Sequence, residues 1–177
     1  WETQNQAGQI DVNCKASMEF DGYMEYIITL KANEKTELDD IRLEIPMNTQ
    51  VAKYWLGMGQ VGSEIPDSYQ WKWDVQKNQE GFWIGNVNAG LHCVFRDENY
   101  VRPLNTNFYH SKPLIIPECW NNSGKGGIKF AKKGKKMSIQ TYSGARNLQK
   151  GEQLTFIFRV SVTPFKPIDT EKQWHDR

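Results

Sequence analysis

The sequence predicts an all-β fold, an antiparallel two-sheet β-sandwich of jelly-roll-like or supersandwich type. Three observations point there. Apolar residues recur at period two in several runs, turn-forming dipeptides separate those runs, and apart from one short stretch no segment carries a 3.6-residue apolar stripe. The chain of 177 residues has the length of one domain with a core of its own.

The first run is the most regular. Over residues 10–20 the apolar positions are Ile10, Val12, Cys14, Ala16, Met18 and Phe20, with Asp11, Asn13, Lys15, Ser17 and Glu19 between them. Such alternation describes a half-buried strand. Asp21-Gly22 follows, a dipeptide suited to the positive φ angles of a tight hairpin turn. Residues 23–32 then return with Met24, Tyr26, Ile28, Leu30 and Ala32 on one face. Residues 34–40 are the stretch that reads as a helical turn. Ile41, Leu43 and Ile45 alternate as far as Pro46, which is expected to stop ladder pairing. Residues 51–56 and 69–75 are aromatic-rich strand candidates on either side of a Gly-rich loop at 57–68. Residues 82–84 form a short strand, and Val87, Ala89, Leu91, Cys93 and Phe95 form another alternating set. Residues 128–130 and 137–142 flank a turn around Gly134, and Leu154, Phe156, Phe158, Val160 and Val162 close a series of about nine strands.

Composition excludes several classes of function. Lys and Arg number 22 against 21 Asp and Glu, so no global charge favours nucleic acid or an anionic membrane. No stretch approaches the ~20 apolar residues of a transmembrane helix. The charge is nevertheless uneven: residues 1–100 hold 16 acids and 8 bases, and residues 101–177 hold 5 acids and 14 bases. Either the surface is dipolar or early strands pair with late ones, which sets opposite charges side by side. Lys125, Lys129, Lys132, Lys133, Lys135 and Lys136 include only Phe130 among them, which fits a Lys-rich hairpin or sheet edge better than a nucleic-acid surface.

Catalytic signatures are lacking. Residues 122–127 are Gly-rich without phosphate-loop spacing, and Asn121-Asn122-Ser123 matches the N-glycosylation triplet. His92, His110 and His175 are scattered, and Cys14, Cys93 and Cys119 contain no CxxC, so neither a metal nor a cofactor is expected. The cysteines read as buried thiols, with one disulfide of undetermined pairing as the alternative. Asp97 and Glu98 are adjacent and would point to opposite faces of a strand, a poor start for two carboxyl groups acting on one sugar. The chain begins at Trp1 without an initiator Met and ends on a complex stretch at 171–177, as a fragment or a chain with its leader removed would.

Aromatic residues carry more information. Tyr54, Trp55, Tyr69, Trp71, Trp73, Phe82, Trp83 and Trp120 concentrate in the middle of the chain. Exposed, Trp71, Trp73 and Trp83 would be stacking platforms for sugar rings; buried, they are core or domain interface.

Four stretches together resemble a known family: residues 53–59, residues 71–85, residues 87–109 with Arg96-Asp97-Glu98-Asn99-Tyr100 and Arg102-Pro103-Leu104-Asn105-Thr106-Asn107-Phe108-Tyr109, and residues 163–170. The chain resembles the β-sandwich domain that precedes the catalytic (β/α) barrel in large bacterial glycoside-hydrolase-like proteins related to glycoside hydrolase family 123. The resemblance implies a β-sandwich over 1–162 and a linker over 163–177 toward a downstream barrel, which takes about 250 residues and has no room here. In that family an Asp–Glu pair in the barrel hydrolyses N-acetylgalactosamine-type linkages with help from the substrate's acetamido group, so no catalytic residue carries over to this chain. It implies an exported protein, periplasmic or at the cell surface of a polysaccharide-degrading bacterium. The barrel would be the partner of this domain, with glycan as a further contact.

The candidate binding or interface residues are therefore Trp71, Trp73, Trp83, Trp120, Arg96, Asp97, Glu98, Asn99, Arg102, Asn105, Asn107 and Tyr109. The polar segment 96–109 would either brace a long connection through internal hydrogen bonds or help to shape the barrel's cleft. Two other functions stand as alternatives: a free-standing carbohydrate-binding module, and a jelly-roll glycosidase with Asp97 or Glu98 as acid.

Overall fold

The computed structural model of the chain describes residues 1–74, 81–99 and 116–164. In chain order its elements are β1 (Glu2–Ala7), β2 (Ile10–Met18), β3 (Met24–Ala32), β4 (Thr36–Leu38), β5 (Arg42–Asn48), β6 (Tyr54–Gly57), β7 (Gln60–Glu64), β8 (Ser68–Trp71), β9 (Gly81–Gly85), β10 (Gly90–Arg96), the single helical turn α1 (Glu118–Asn121), β11 (Gly127–Lys133), β12 (Lys136–Tyr142), β13 (Arg146–Leu148) and β14 (Gln153–Thr163). An eight-stranded sheet of order β1-β2-β3-β14-β10-β9-β6-β7 faces a four-stranded sheet of order β5-β12-β11-β8, and β4 pairs with β13 beside them. Every pairing is antiparallel. The expected β-sandwich is the observed fold.

The first hairpin has the expected register, from Met18 opposite Met24 to Ile10 opposite Ala32. β14 lies on the other side of β3 and sets Phe156 beside Ile28 and Phe158 beside Tyr26. The N-terminal hairpin is thus completed by β14, the last strand among the described residues. β5 with β12, β8 with β11 and β3 with β14 likewise join early strands to late ones. Opposite charges follow: Arg159 pairs with Glu25, and Lys132 with Asp67 at 3.1 Å. Apart from Lys125, which precedes it, the lysine-rich run is the β11–β12 hairpin.

The sheets meet over an aromatic core. The Trp55 ring of the large sheet packs edge-on against Phe130 of the small one, with 5.1 Å between centroids. From there a chain of edge-to-face rings crosses the interior, Trp71–Trp73–Phe95–Trp120–Phe156, in successive contacts of 4.9, 6.1, 5.1 and 4.8 Å. Such pairs add about 0.5–1.5 kcal/mol each beyond the area that they bury.

Five sequence expectations are corrected. β5 continues through Pro46 to Asn48, because β5 is an edge strand and its unpaired side needs no N–H. The stretch 57–68 contains β7, returned by a tight turn in which Gly57, Met58 and Gly59 all take positive φ, and Met58 fills the core with no exposure. Within 34–40 lies strand β4, and the helical turn occurs at Glu118–Asn121 instead. Met18, Phe20, Val87 and Val162 are exposed although the alternation points them inward, because it assigns a face without supplying the layer that covers it. β1, which has no apolar alternation, was not expected at all, and neither was the short β13.

Candidate docking surface

The residues singled out above part company in the structure. Trp71, Trp73 and Trp120 are buried, with 7, 8 and 2 % of their surface exposed, so none offers a ring face to a sugar. They are the core of the sandwich. The Trp120 indole N–H donates to the carbonyls of Arg96 at 3.0 Å and Ile157 at 3.2 Å, fastening α1 to the end of β10 and the middle of β14.

Trp83 behaves differently. It is half-buried on the outer face of the large sheet, where the register sets Leu56 on one side and His92 on the other. Its ring packs closely against two glycines. A Cβ built on Gly90 would sit 2.4 Å from the indole, and one built on Gly85 would sit 2.6 Å from it, so both positions require glycine for close approach. The indole N–H donates to the Thr163 hydroxyl at 2.8 Å, which ties the ring to the last residue of β14. Beside it Leu56 is 47 % and Tyr54 43 % exposed. Tyr54, Leu56 and Trp83 thus form a small apolar patch with a phenol rim, adjoining the point where β14 ends.

The polar segment is described only at its start. Arg96 ends β10, Asp97 is buried, and Glu98 and Asn99 are exposed. Asp97 Oδ1 accepts the Asn99 backbone N–H at 3.0 Å, a local turn bond. Arg102, Asn105, Asn107 and Tyr109 lie outside the described residues, as do His110, His175 and all but the first two residues of the expected linker.

Close to this turn, Arg146 donates to the Cys119 carbonyl and, at 3.2 Å, to the Ser143 hydroxyl. Burial, followed by the negative charge of Asp97, pushes the Cys119 thiol well above its ordinary range, against the opposing charge of Arg146. Burial does the same to Cys93. All three cysteines are free thiols. Among the described residues no three His, Cys, Asp or Glu side chains come together as metal ligands would, and no helix is long and apolar enough to cross a membrane.

Sequence reasoning missed a second surface, a groove on the outer face of β1, β2, β3 and β14 lined by Asp11, Asn13 and their neighbours. Its signal was the polar half of the first alternation, which reads as nothing more than solvated surface. The Trp83 seat had a clearer signal, since Gly85 and Gly90 flank one tryptophan.

The family described as glycoside hydrolase 123, third domain, matches residues 1–164. No curated protein sequence matches the chain. Among solved structures, a protein described as a kojibiose phosphorylase from the human microbiome is similar at 13 % identity and a TM-score of 0.35 over 94 % of this chain. One described as an aldose 1-epimerase from Escherichia coli K12 is similar at 9 % identity and a TM-score of 0.45 over 91 % of this chain. The chain spans 18 % of the first of these and 63 % of the second.

Proposed function

The chain belongs to the glycoside hydrolase 123 third-domain family, and on that premise we propose that it packs against the catalytic barrel of its own polypeptide through Tyr54, Leu56 and Trp83. It is an accessory domain of a glycoside-hydrolase-like protein. The chemistry belongs to the barrel, and this domain holds the barrel in place. The same reading has residues 163–177 lead toward the barrel and has the parent enzyme act outside the cytoplasm of a bacterium, in the periplasm or at the cell surface.

The observation that carries the reading is the seat of Trp83. A large aromatic ring packed against two glycines and tied to Thr163 is held in place and partly exposed beside the end of β14. Aromatic residues with preset geometry are typical of interface centres. The alternative reading as a module with Trp71, Trp73 and Trp83 as platforms keeps one of its three rings. The reading as a glycosidase needs a second carboxyl group facing the first, whereas Asp97 turns inward to accept the Asn99 N–H and the adjacent Glu98 is exposed.

Leu56→Glu tests the docking. Leu56 is about half exposed, so the isolated chain should keep its melting temperature within about 2 °C. In the full-length polypeptide the same change should split one cooperative melting transition into two and raise amide exchange in β6 and β9. A full-length protein that melts as before, with β6 exchanging as fast as in the isolated chain, would overturn the proposal.

A further inference from the structure

We infer that the groove on the outer face of β1, β2, β3 and β14 is a binding site for a short neutral oligosaccharide. The inference rests on the reading above that the domain serves a glycoside hydrolase, and it assigns that enzyme a second surface, at the other side of the same sheet from Trp83.

The groove holds about 660 Å3, within the range of about 300–1,000 Å3 common to small-ligand sites. Gln4, Asp11, Asn13, Thr29, Lys31 and Gln153 supply its polar tips, with Asn5 and Val12 completing the lining. The strand register arranges them in two transverse rows. Gln4, Asn13 and Thr29 are neighbours across β1, β2 and β3, and Asp11, Lys31 and Gln153 are neighbours across β2, β3 and β14. Strands lie about 4.8 Å apart and residues on one face repeat about every 6.8 Å, so the rows form a grid of polar tips on the scale of a pyranose ring.

The chemistry of the tips selects the ligand. Three amides and a hydroxyl each donate and accept hydrogen bonds, as sugar hydroxyls do. Asp11 and Lys31 are cross-strand neighbours of opposite charge, so the groove has no net field to attract an anionic polymer. The Asn33 amide holds Asp11 Oδ1 at 2.8 Å, and Glu2 Oε1 holds the Asn13 amide at 2.9 Å, which sets the direction of two of the six groups. No aromatic ring is among the lining residues, so the ligand is held by hydrogen bonds along its length rather than by stacking.

β1 supplies an independent argument. All six of its residues are exposed and it adds no side chain to the core, while ordering each residue costs about 1–2 kcal/mol of backbone entropy. Its ladder with β2 is anchored by the Trp1 ammonium on the Ala16 carbonyl at 2.9 Å and by the Trp1 ring against Tyr26. What β1 contributes beyond that ladder is the wall of the groove. A polar outer face is the ordinary state of an antiparallel sheet; this one is a depression, whereas the same sheet turns the apolar Leu56 and Trp83 outward at its other side.

The test is an amide NMR titration of the 177-residue chain with cellotetraose, chitotetraose and, as the charged comparison, tetragalacturonate. At least one neutral tetraose should shift amides of β1, β2, β3 and Gln153, saturating between about 0.1 and 10 mM. The Gln4→Ala/Gln153→Ala double variant, altered at two exposed positions, should melt as the parent does and bind at least fivefold more weakly; if it does not fold, Asn13→Ala serves in its place. Four results would each overturn the inference: no shifts with either neutral sugar up to about 20 mM, shifts confined to the surroundings of Trp83, tighter binding of tetragalacturonate, or undiminished binding by the variant. Docking is read in the full-length protein, so either proposal can fail without the other.

Discussion

The phenyl ring of Phe158 lies parallel to the ring of Tyr26, with 4.8 Å between centroids and 8° between planes. The two residues are direct neighbours on β14 and β3, so this stack joins β14 to the first hairpin. Phe158 is 9 % exposed. Phe158→Ala should therefore cost about 3–5 kcal/mol in urea unfolding. Tyr26→Ala, combined with it in a double-mutant cycle, should show a coupling of about 1 kcal/mol. A loss below about 1.5 kcal/mol for Phe158→Ala would show that β14 is not a core strand at this point.

Lys72 pins the Gly-rich turn. Its ammonium donates to the carbonyls of Gly124, Lys125 and Gly126 at 3.1, 2.8 and 2.8 Å, and it lies 5.1 Å from the centre of the Tyr142 ring. Lys72→Met keeps the stem and removes the donors. Because the site is largely exposed, the expected loss is about 1 kcal/mol, read together with faster amide exchange across residues 124–127. Unchanged exchange there would mean that the turn holds its shape without the ammonium.

Glu118 gives the fold a pH dependence. Burial works against its charge, but hydrogen bonds from Asn121 at 3.0 Å and from the Ser123 N–H and hydroxyl at 2.6 and 3.2 Å outweigh it and hold the carboxyl below its ordinary value near 4.5. A depressed folded value means that the carboxylate's contribution is complete above the unfolded value. It is lost as pH falls through the folded one. The stability gap between the parent and Glu118→Gln should be constant from pH 7 to about 5.5 and should close below about 4. A gap that stays constant to pH 3 would assign the effect to packing.

The thiols should react in order of access. Cys14 is partly exposed, Cys93 is buried, and burial pushes the thiols of Cys93 and Cys119 up. The thiolate is the reactive form, so an aromatic disulfide reagent at pH 8 should label Cys14 first, and all three cysteines should be labelled quickly in urea. Rapid labelling of Cys93 in the native state would contradict its place in the core.

Local signals were legible where two of them agreed. Residues 10–32 combine alternation with Asp-Gly, and the hairpin forms in that register. β1 gave no signal because its side chains are polar on both faces, and a strand without an apolar face is visible only through its partner. Pro46 was misread because its effect depends on whether the strand lies at an edge, which is a property of strand order. The aromatic candidates were recognisable as residues, but not as a site. Trp71 and Trp83 look equivalent in sequence, yet one is sealed between the sheets and the other lies outside on two glycines.

By itself the sequence determined the β class, the first hairpin and the pairs of positions that share a face, because side-chain direction along a strand follows a period of two set by local backbone geometry. Only the tertiary structure decided which of those faces became interior. That depended on pairings between residues more than a hundred positions apart, such as Tyr26 with Phe158 and Glu25 with Arg159. It depended also on how far the opposing sheet reached. Ala16 is covered and Phe20, four residues further along the same alternation, is 95 % exposed, since the hydrophobic effect acts on the surface that a second layer removes from water and not on the pattern that offers it.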